Sequence, residues 1–248
     1  MHANSSEQLV GRFEDQRDVK NLMAKIGYSI MLKQENAIVS RFWSGREDIC
    51  LGVNDGYYSG SEAVRGYYDA VAAHTAETTA FLKSAFPDRM DKLTEQEQYG
   101  AGSMDTFPMS TPVVEIAEDG ATAKGIWYAR GTSCRITEQG PIAYWILGVY
   151  ACDFVRENGA WKIWHMLNLQ DVVCPCGRDW SSDFGEPFPD IPAFAGVKPF
   201  AAPIPNVPKL LHREYRPGRP FMPLPEPPVP YHTFAETFSY GCEKEVQG

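Results

Sequence analysis

Long apolar runs, an excess of positive charge and clustered metal ligands are all missing from this 248-residue chain, and each absence excludes a class of function. The longest apolar stretch, around 142–152, falls far short of the roughly 20 residues that a membrane-spanning helix needs. A formal net charge of −9 argues against a nucleic-acid groove, which requires a basic stripe. Residues 1–10 are polar and lack the apolar core of a signal peptide, so a soluble cytoplasmic protein without membrane contact is expected. The six cysteines, at 50, 134, 152, 174, 176 and 242, are scattered and read as free thiols rather than a disulfide framework. Cys174 and Cys176 are the one close pair, but zinc sites favour wider spacing and need two further ligands. Five dispersed histidines supply no such cluster, and no metal is expected. The phosphate-cradling G-x-x-x-x-G-K-S/T, the dinucleotide G-x-G-x-x-G, H-E-x-x-H and G-x-S-x-G are also missing, so no cofactor is expected.

What the chain does contain is a block of long strands over 112–171. Val113 to Ile116 breaks at Glu118-Asp119-Gly120, and a second run over 121–136 carries Trp127 and Tyr128. It breaks at Glu138-Gln139-Gly140-Pro141. A third run over 142–156 ends at Glu157-Asn158-Gly159, and a fourth over 160–173 carries Trp161 and Trp164. Asp-Gly and Asn-Gly between β-branched and aromatic runs are strong hairpin signals. Strands this long twist and curl, leaving one face concave. The hollow needs a filling, and the chain ahead of it supplies helices. The fold class expected is therefore α+β: a curved antiparallel sheet wrapped as a cone around N-terminal helices.

In the first helix Val19, Leu22, Met23, Ile26 and Ile30 form a single apolar stripe. Asn36 is a plausible N-cap of a second helix that buries Ile38, Val39, Phe42 and Trp43. A short strand over 49–53 turns at Asn54-Asp55-Gly56, and Ser61 caps a third helix bearing Val64, Tyr67, Tyr68, Val71 and His74 on one face. Residues 81–108 lack a clean period and read as a lid or insertion over the open end of the cone. After Val173 the composition changes, with fifteen of the nineteen prolines lying between Cys174 and Gly248. Disordered segments are poor in aromatics, yet this one carries Trp180, Phe184, Phe188, Phe194, Phe200, Tyr215, Phe221, Tyr231, Phe234, Phe238 and Tyr240. An ordered, extended arm over 174–248 is expected, lying on its own subunit or on a neighbour, beside a cone domain over 8–173.

With the helices first, then Gly52 to Ala63, then Val114 to Tyr128 and Tyr150 to Ile163, the arrangement resembles the nuclear transport factor 2-like superfold in its SnoaL-like branch. Scytalone dehydratase, bile-acid 7α-dehydratase, ketosteroid isomerase and polyketide cyclases share that fold, and so do members without known catalysis, so fold alone does not settle activity. The resemblance implies a tyrosine on the first helix, matched by Tyr28, and an aspartate five residues later, where Lys33 stands instead. It also implies a histidine two residues before a proline, where Ser110 precedes Thr111-Pro112. It further implies a homo-oligomer, a dimer or a trimer.

On the last strand Trp161, Ile163, His165, Leu167 and Leu169 share one face if the strand is unbroken, and Trp164, Met166, Asn168 and Gln170 share the other. A bulge would exchange these sets. Tyr28, Lys33 and His165 are the candidate catalytic residues, expected to meet in one cavity; Ser110, Trp127, Tyr150, Asn168 and His74 are the candidate substrate contacts. Two classes of function stay open. One is a cofactor-independent lyase or isomerase, dehydratase-like, that abstracts a proton next to a carbonyl of a hydrophobic cyclic or aromatic molecule. The other is a non-catalytic small-molecule-binding or assembly protein on the same cone. The enzyme is favoured. Truncation at Asp171 is expected to expose apolar surface and to weaken self-association or cause aggregation; sedimentation of the truncated chain as an unchanged, soluble assembly would contradict the ordered arm.

Overall fold

A computed structural model describes residues 6–137, 140–177, 202–216, 218, 220 and 222–242. Helix α1 (Ser6–Met31) turns its stripe of Val19, Leu22, Met23 and Ile26 into the core, each at most 8% exposed. A left-handed turn at Lys33, with φ of 54°, ends it and leads into α2 (Glu35–Phe42). Gln34 rather than Asn36 holds the N-cap position there, and Gly60 rather than Ser61 precedes α3 (Ser61–Ala85). The hairpin β1 (Cys50–Val53) and β2 (Gly56–Ser59) lies between those helices in the chain. Helix α3 absorbs the first residues of the segment expected as a lid. The remainder forms two single turns, α4 (Pro87–Met90) and α5 (Glu95–Gln98), and a short strand β3 (Met104–Thr106).

Four strands then build the sheet: β4 (Met109–Ile116), β5 (Thr122–Thr137), β6 (Gly140–Glu157) and β7 (Ala160–Pro175). Among the described residues the order is β3-β5-β6-β7-β1-β2-β8, with β4 also on β5 and β8 (Val207–Pro208) contributed by the C-terminal arm. All pairs are antiparallel except β1 with β7, which run parallel. The fold is the expected curved sheet around N-terminal helices. α1, α2 and α3 pack their apolar faces on one side of it, in a core that includes Trp43, Trp127, Tyr150, Phe154 and Ile163.

The register of β6 on β7 slips twice. Asp153 pairs with His165 but Phe154 pairs with Ile163, leaving Trp164 as an extra residue. Leu147 pairs with Val172 but Gly148 pairs with Gln170, leaving Asp171 as a second. Each slip exchanges the faces of the strand beyond it. Ile163 therefore faces the helices together with Met166, while His165, Leu167 and Leu169 face the opposite side.

On that opposite side the arm lies against the sheet. Of the aromatic anchors read from the sequence, Tyr231 and Tyr240 are buried, whereas Trp180, Phe184, Phe188, Phe194, Phe200 and Phe221 lie outside the described residues. Beneath the arm sits a fully buried ion pair, Lys124 with Asp153. Asp153 Oδ2 also accepts from His165 Nδ1 at 2.8 Å, from Ser239 Oγ at 3.0 Å and from the Tyr240 backbone N–H at 2.9 Å. The Lys124 ammonium lies over the rings of Phe234, Phe238 and Tyr240 at 4.9, 4.5 and 4.7 Å. Gly241 lies so close to His165 that a Cβ there would come within 2.7 Å of the ring. This clasp fixes the tail to the domain. Burial pulls the Lys124 pKa down, and Asp153 offsets only part of that pull. Removing one partner of such a pair leaves an unpaired buried charge and costs about 3–5 kcal/mol, whereas removing both charges is far cheaper. Lys124→Met is thus expected to lower the urea midpoint sharply, and Lys124→Met with Asp153→Asn to recover part of the loss. Equal midpoints for wild type and Lys124→Met would show that the pair does not hold the arm.

Candidate functional site

Between the helices and the inner face of the sheet lies a cavity of about 750 Å³, within the usual range for small-molecule sites. Its apolar wall comes from Ile26 and Ile30 of α1, Leu51 and Val53 of β1, Val71 of α3 and Ile146 of β6. Tyr67 and Tyr68 of α3 and Tyr150 of β6 bring phenol groups to it. Burial pushes the Tyr67 hydroxyl up to about 12 and those of Tyr68 and Tyr150 higher, so all three are neutral hydrogen-bonding groups.

The polar wall is organised by the turn after α1. Lys33 ion-pairs with Asp105 of β3, with the two side chains 12% and 27% exposed, and Asp105 also accepts from Ser133 Oγ at 2.7 Å. A carboxylate thus faces the lysine that stands at the family's aspartate position. The Lys33 side chain packs over Gly100, whose φ of 72° needs glycine and whose N–H is bound by Thr79 Oγ at 3.0 Å. Residues 100–107, part of the segment expected as a lid, in this way contribute Gly100, Ser103, Asp105 and Phe107 to the wall.

Beside this pair stands Glu35, the first residue of α2, only 4% exposed. Its Oε2 has no hydrogen-bond partner among the described residues. Desolvation raises the Glu35 pKa above the ordinary 4.5, outweighing the opposing pull of its own backbone N–H and of the Lys33 charge. A carboxyl so placed exchanges a proton nearer to neutrality than an exposed one does. His74 of α3 also lines the cavity, and burial lowers its pKa despite Glu77.

The structure brings together some of the residues chosen from sequence and separates others. Lys33, His74, Tyr150 and Asn168 all line the cavity, and Tyr150 and Asn168 are cross-strand partners. Tyr28 does not: it is 65% exposed, because two residues along a helix from inward-facing Ile26 is a rotation of about 200°. His165 lies in the clasp on the far face, turned away by the bulge at Trp164. Trp127 is buried in the core, edge-on to Phe154 at 6.0 Å, with Gly125 leaving room for its ring. Ser110 donates to the Tyr128 carbonyl at 3.1 Å in an exposed position and does not line the cavity. The expected meeting of Tyr28, Lys33 and His165 in one cavity is therefore corrected. Sequence reasoning passed over Glu35, whose helix-starting position reads as a solvated charge, and Asp105, which sits in an aperiodic segment. Among the described residues no three histidine, cysteine or acidic side chains gather as metal ligands, and no helix is long and apolar enough to cross a membrane.

The raised Glu35 pKa has a consequence for stability. A carboxyl that binds its proton more tightly when folded supports the fold fully below 4.5 and loses that support as pH rises through its folded value. Glu35→Gln is expected to melt above wild type at pH 8, with the difference shrinking as pH falls towards 4.5. Thermal melts of both proteins across this range test it; a constant difference would place the carboxyl in an ordinary environment.

Among solved structures, similarity is found to a type 2 hexachlorocyclohexane dehydrochlorinase (LinA), at 14% identity over 67% of this chain and 91% of that one, with a TM-score of 0.48. It extends to a LinA-type3 dehydrochlorinase from Novosphingobium barchaimii, at 15% identity over 68% and 95% of the two chains, TM-score 0.46. Aln2 from a Streptomyces species is similar at 17% identity over 68% and 94%, TM-score 0.42. No curated protein matches the sequence. The assignment rests on the sequence match to a family rather than on these structures. Residues 11–167, more than half of the chain, match the SnoaL-like domain, and the chain belongs to that family within the nuclear transport factor 2-like superfamily.

Proposed function

We propose that the protein is a cofactor-independent lyase or isomerase that moves a proton next to a carbonyl of a largely apolar, cyclic or aromatic small molecule. The observation that carries this reading is Glu35: a buried carboxyl in the cavity wall, raised in pKa, with one oxygen unpartnered among the described residues and the Lys33–Asp105 ion pair beside it. In this reading the Glu35 carboxylate takes a proton from the carbon beside the carbonyl, and the electron pair of the broken C–H bond moves into the enolate. The Lys33 ammonium donates a hydrogen bond to the enolate oxygen, as Asp105 holds it in place. In a dehydration the protonated Glu35 then returns the proton to the departing hydroxyl, which leaves as water while the carbon–carbon double bond forms. An isomerisation differs only in returning the proton to another carbon. The buried tyrosine hydroxyls and Asn168 offer further hydrogen bonds to the bound molecule. Tyr28 and His165 have no part in this scheme, and Lys33 is the one of the three candidate catalytic residues that it uses. Membership of the SnoaL-like family supports the substrate class without fixing the reaction.

Native mass spectrometry of the protein as purified, followed by identification of a retained small molecule, supplies the substrate for the test. With that compound, Glu35→Gln is expected to lower turnover by roughly a hundred- to ten-thousand-fold while the protein stays folded. Because the base acts in its ionised form, wild-type activity should rise with pH through a value above the ordinary 4.5. Full activity in Glu35→Gln would move the chemistry elsewhere. Recovery of the compound unchanged from wild type would favour a binding protein instead.

A further inference from the structure

The SnoaL-like match ends at residue 167, yet the cavity wall does not. Ala202, Leu210, His212, Arg213, Glu214 and Arg216 of the arm line the same cavity. Strand β8 pairs with β2, and beyond it the Leu211 and His212 N–H groups donate to the Asn54 carbonyl at 2.8 and 3.2 Å. Asn54 in turn clamps Gln170 of β7, its Nδ2 donating to the Gln170 carbonyl at 2.8 Å and its Oδ1 accepting the Gln170 N–H at 2.9 Å. The arm is fixed again where the Tyr215 N–H donates to the Asp171 carbonyl at 2.6 Å. Asp171 is the extra residue of the second bulge, and bulges re-aim side chains in this way. Its carboxylate meets His212 Nε2 at 3.3 Å.

His212 itself is 1% exposed, and its Nδ1 has no hydrogen-bond partner among the described residues. With Nε2 donating to Asp171, Nδ1 carries the free lone pair, and a buried acceptor left unmade costs stability unless something fills it. Two of the three buried side-chain atoms without partners among the described residues, His212 Nδ1 and Glu35 Oε2, belong to residues that line this one cavity. A water-shielded acceptor held in one tautomer by a carboxylate selects a donor.

We propose that the C-terminal arm completes the binding site, and that His212, oriented by Asp171, accepts a hydrogen bond from a hydroxyl on the apolar molecule bound in the cavity. The inference rests on the reading of the cavity as a small-molecule site and narrows its ligand to a hydroxylated, mainly apolar compound. Asp171 is the positioning residue, and His212 makes the contact.

The test uses the full chain and two probes of nearly equal shape, 2-naphthol and its methyl ether, 2-methoxynaphthalene, followed by fluorescence titration. Wild type should bind 2-naphthol about two- to tenfold more tightly than the ether, the range expected of one net hydrogen bond. His212→Phe should abolish that preference while keeping affinity for the ether. Asp171→Asn, which lets the amide donate to Nε2 and so turns the imidazole tautomer, should reduce it with His212 still present. Tyr28→Phe, on the exposed face of α1 and away from the cavity, should retain it. In wild type, nitrogen-15 NMR of the imidazole should show an unprotonated Nδ1 whose resonance shifts with 2-naphthol and not with the ether, an outcome that needs no variant. Equal binding of the two probes by wild type, or a preference that survives His212→Phe, would overturn the proposal for His212 alone. Binding of neither probe would overturn the small-molecule cavity as well.

Discussion

A β-strand hands alternate residues to opposite faces, so one extra residue in a paired strand reverses that allocation for everything beyond it. β7 contains two such residues, Trp164 and Asp171, and most of what is distinctive here follows from them. The first sends His165 outward to Asp153 and brings Met166 and Asn168 inward. The second displaces Asp171 from the ladder to where the arm can reach it. Without the first bulge the clasp would lose its imidazole; without the second, His212 would have no carboxylate.

Buried charge is handled in two ways on the two faces of this sheet. Under the arm, Asp153 is saturated with four donors, and three rings surround the Lys124 ammonium. A site with every bond satisfied has nothing left for a ligand and serves to hold the tail. In the cavity the satisfaction is incomplete: Lys33 and Asp105 neutralise one another, but Glu35 is left with an oxygen unpartnered among the described residues. The contrast between a completed polar network and an unfinished one separates the fastening from the cavity, although both contain a lysine–aspartate pair, fully buried in the first and part-buried in the second, and a histidine lies on each side.

The arm links these two faces. Its last described part fills the clasp outside the cone, and Ala202, Leu210, His212, Arg213, Glu214 and Arg216 line the cavity within it. An extension stiffened by proline loses little conformational freedom on docking, so a few aromatic anchors and backbone hydrogen bonds suffice to hold it. Part of the cavity wall therefore lies beyond the segment matched to the family.

Local pattern determined the elements. The apolar stripe of α1, the Asp-Gly and Asn-Gly turns and the alternating strands follow from spacing and turn chemistry, which act over a few residues. The curved sheet, the helices against it and the change of character after Val173 were legible for that reason; Lys33 was reached through the family resemblance instead, and which face of the last strand, with Asn168, turns inward was left open by its spacing. Tyr28 was within reach of the same reasoning, since its angle from Ile26 already points it outward; the family resemblance pulled the other way. His165 and Trp127 were not, because a bulge leaves no mark in the pattern of a strand whose two faces are both buried, and the pattern alone does not say which aromatic fills a core and which a cavity. Asp105 reaches Lys33 from 72 residues away, and His212 reaches Asp171 across 41. Contacts over such separations are set by how the whole chain closes, and so only the tertiary structure decided where the acidic groups meet the basic ones and which of them were left unpartnered.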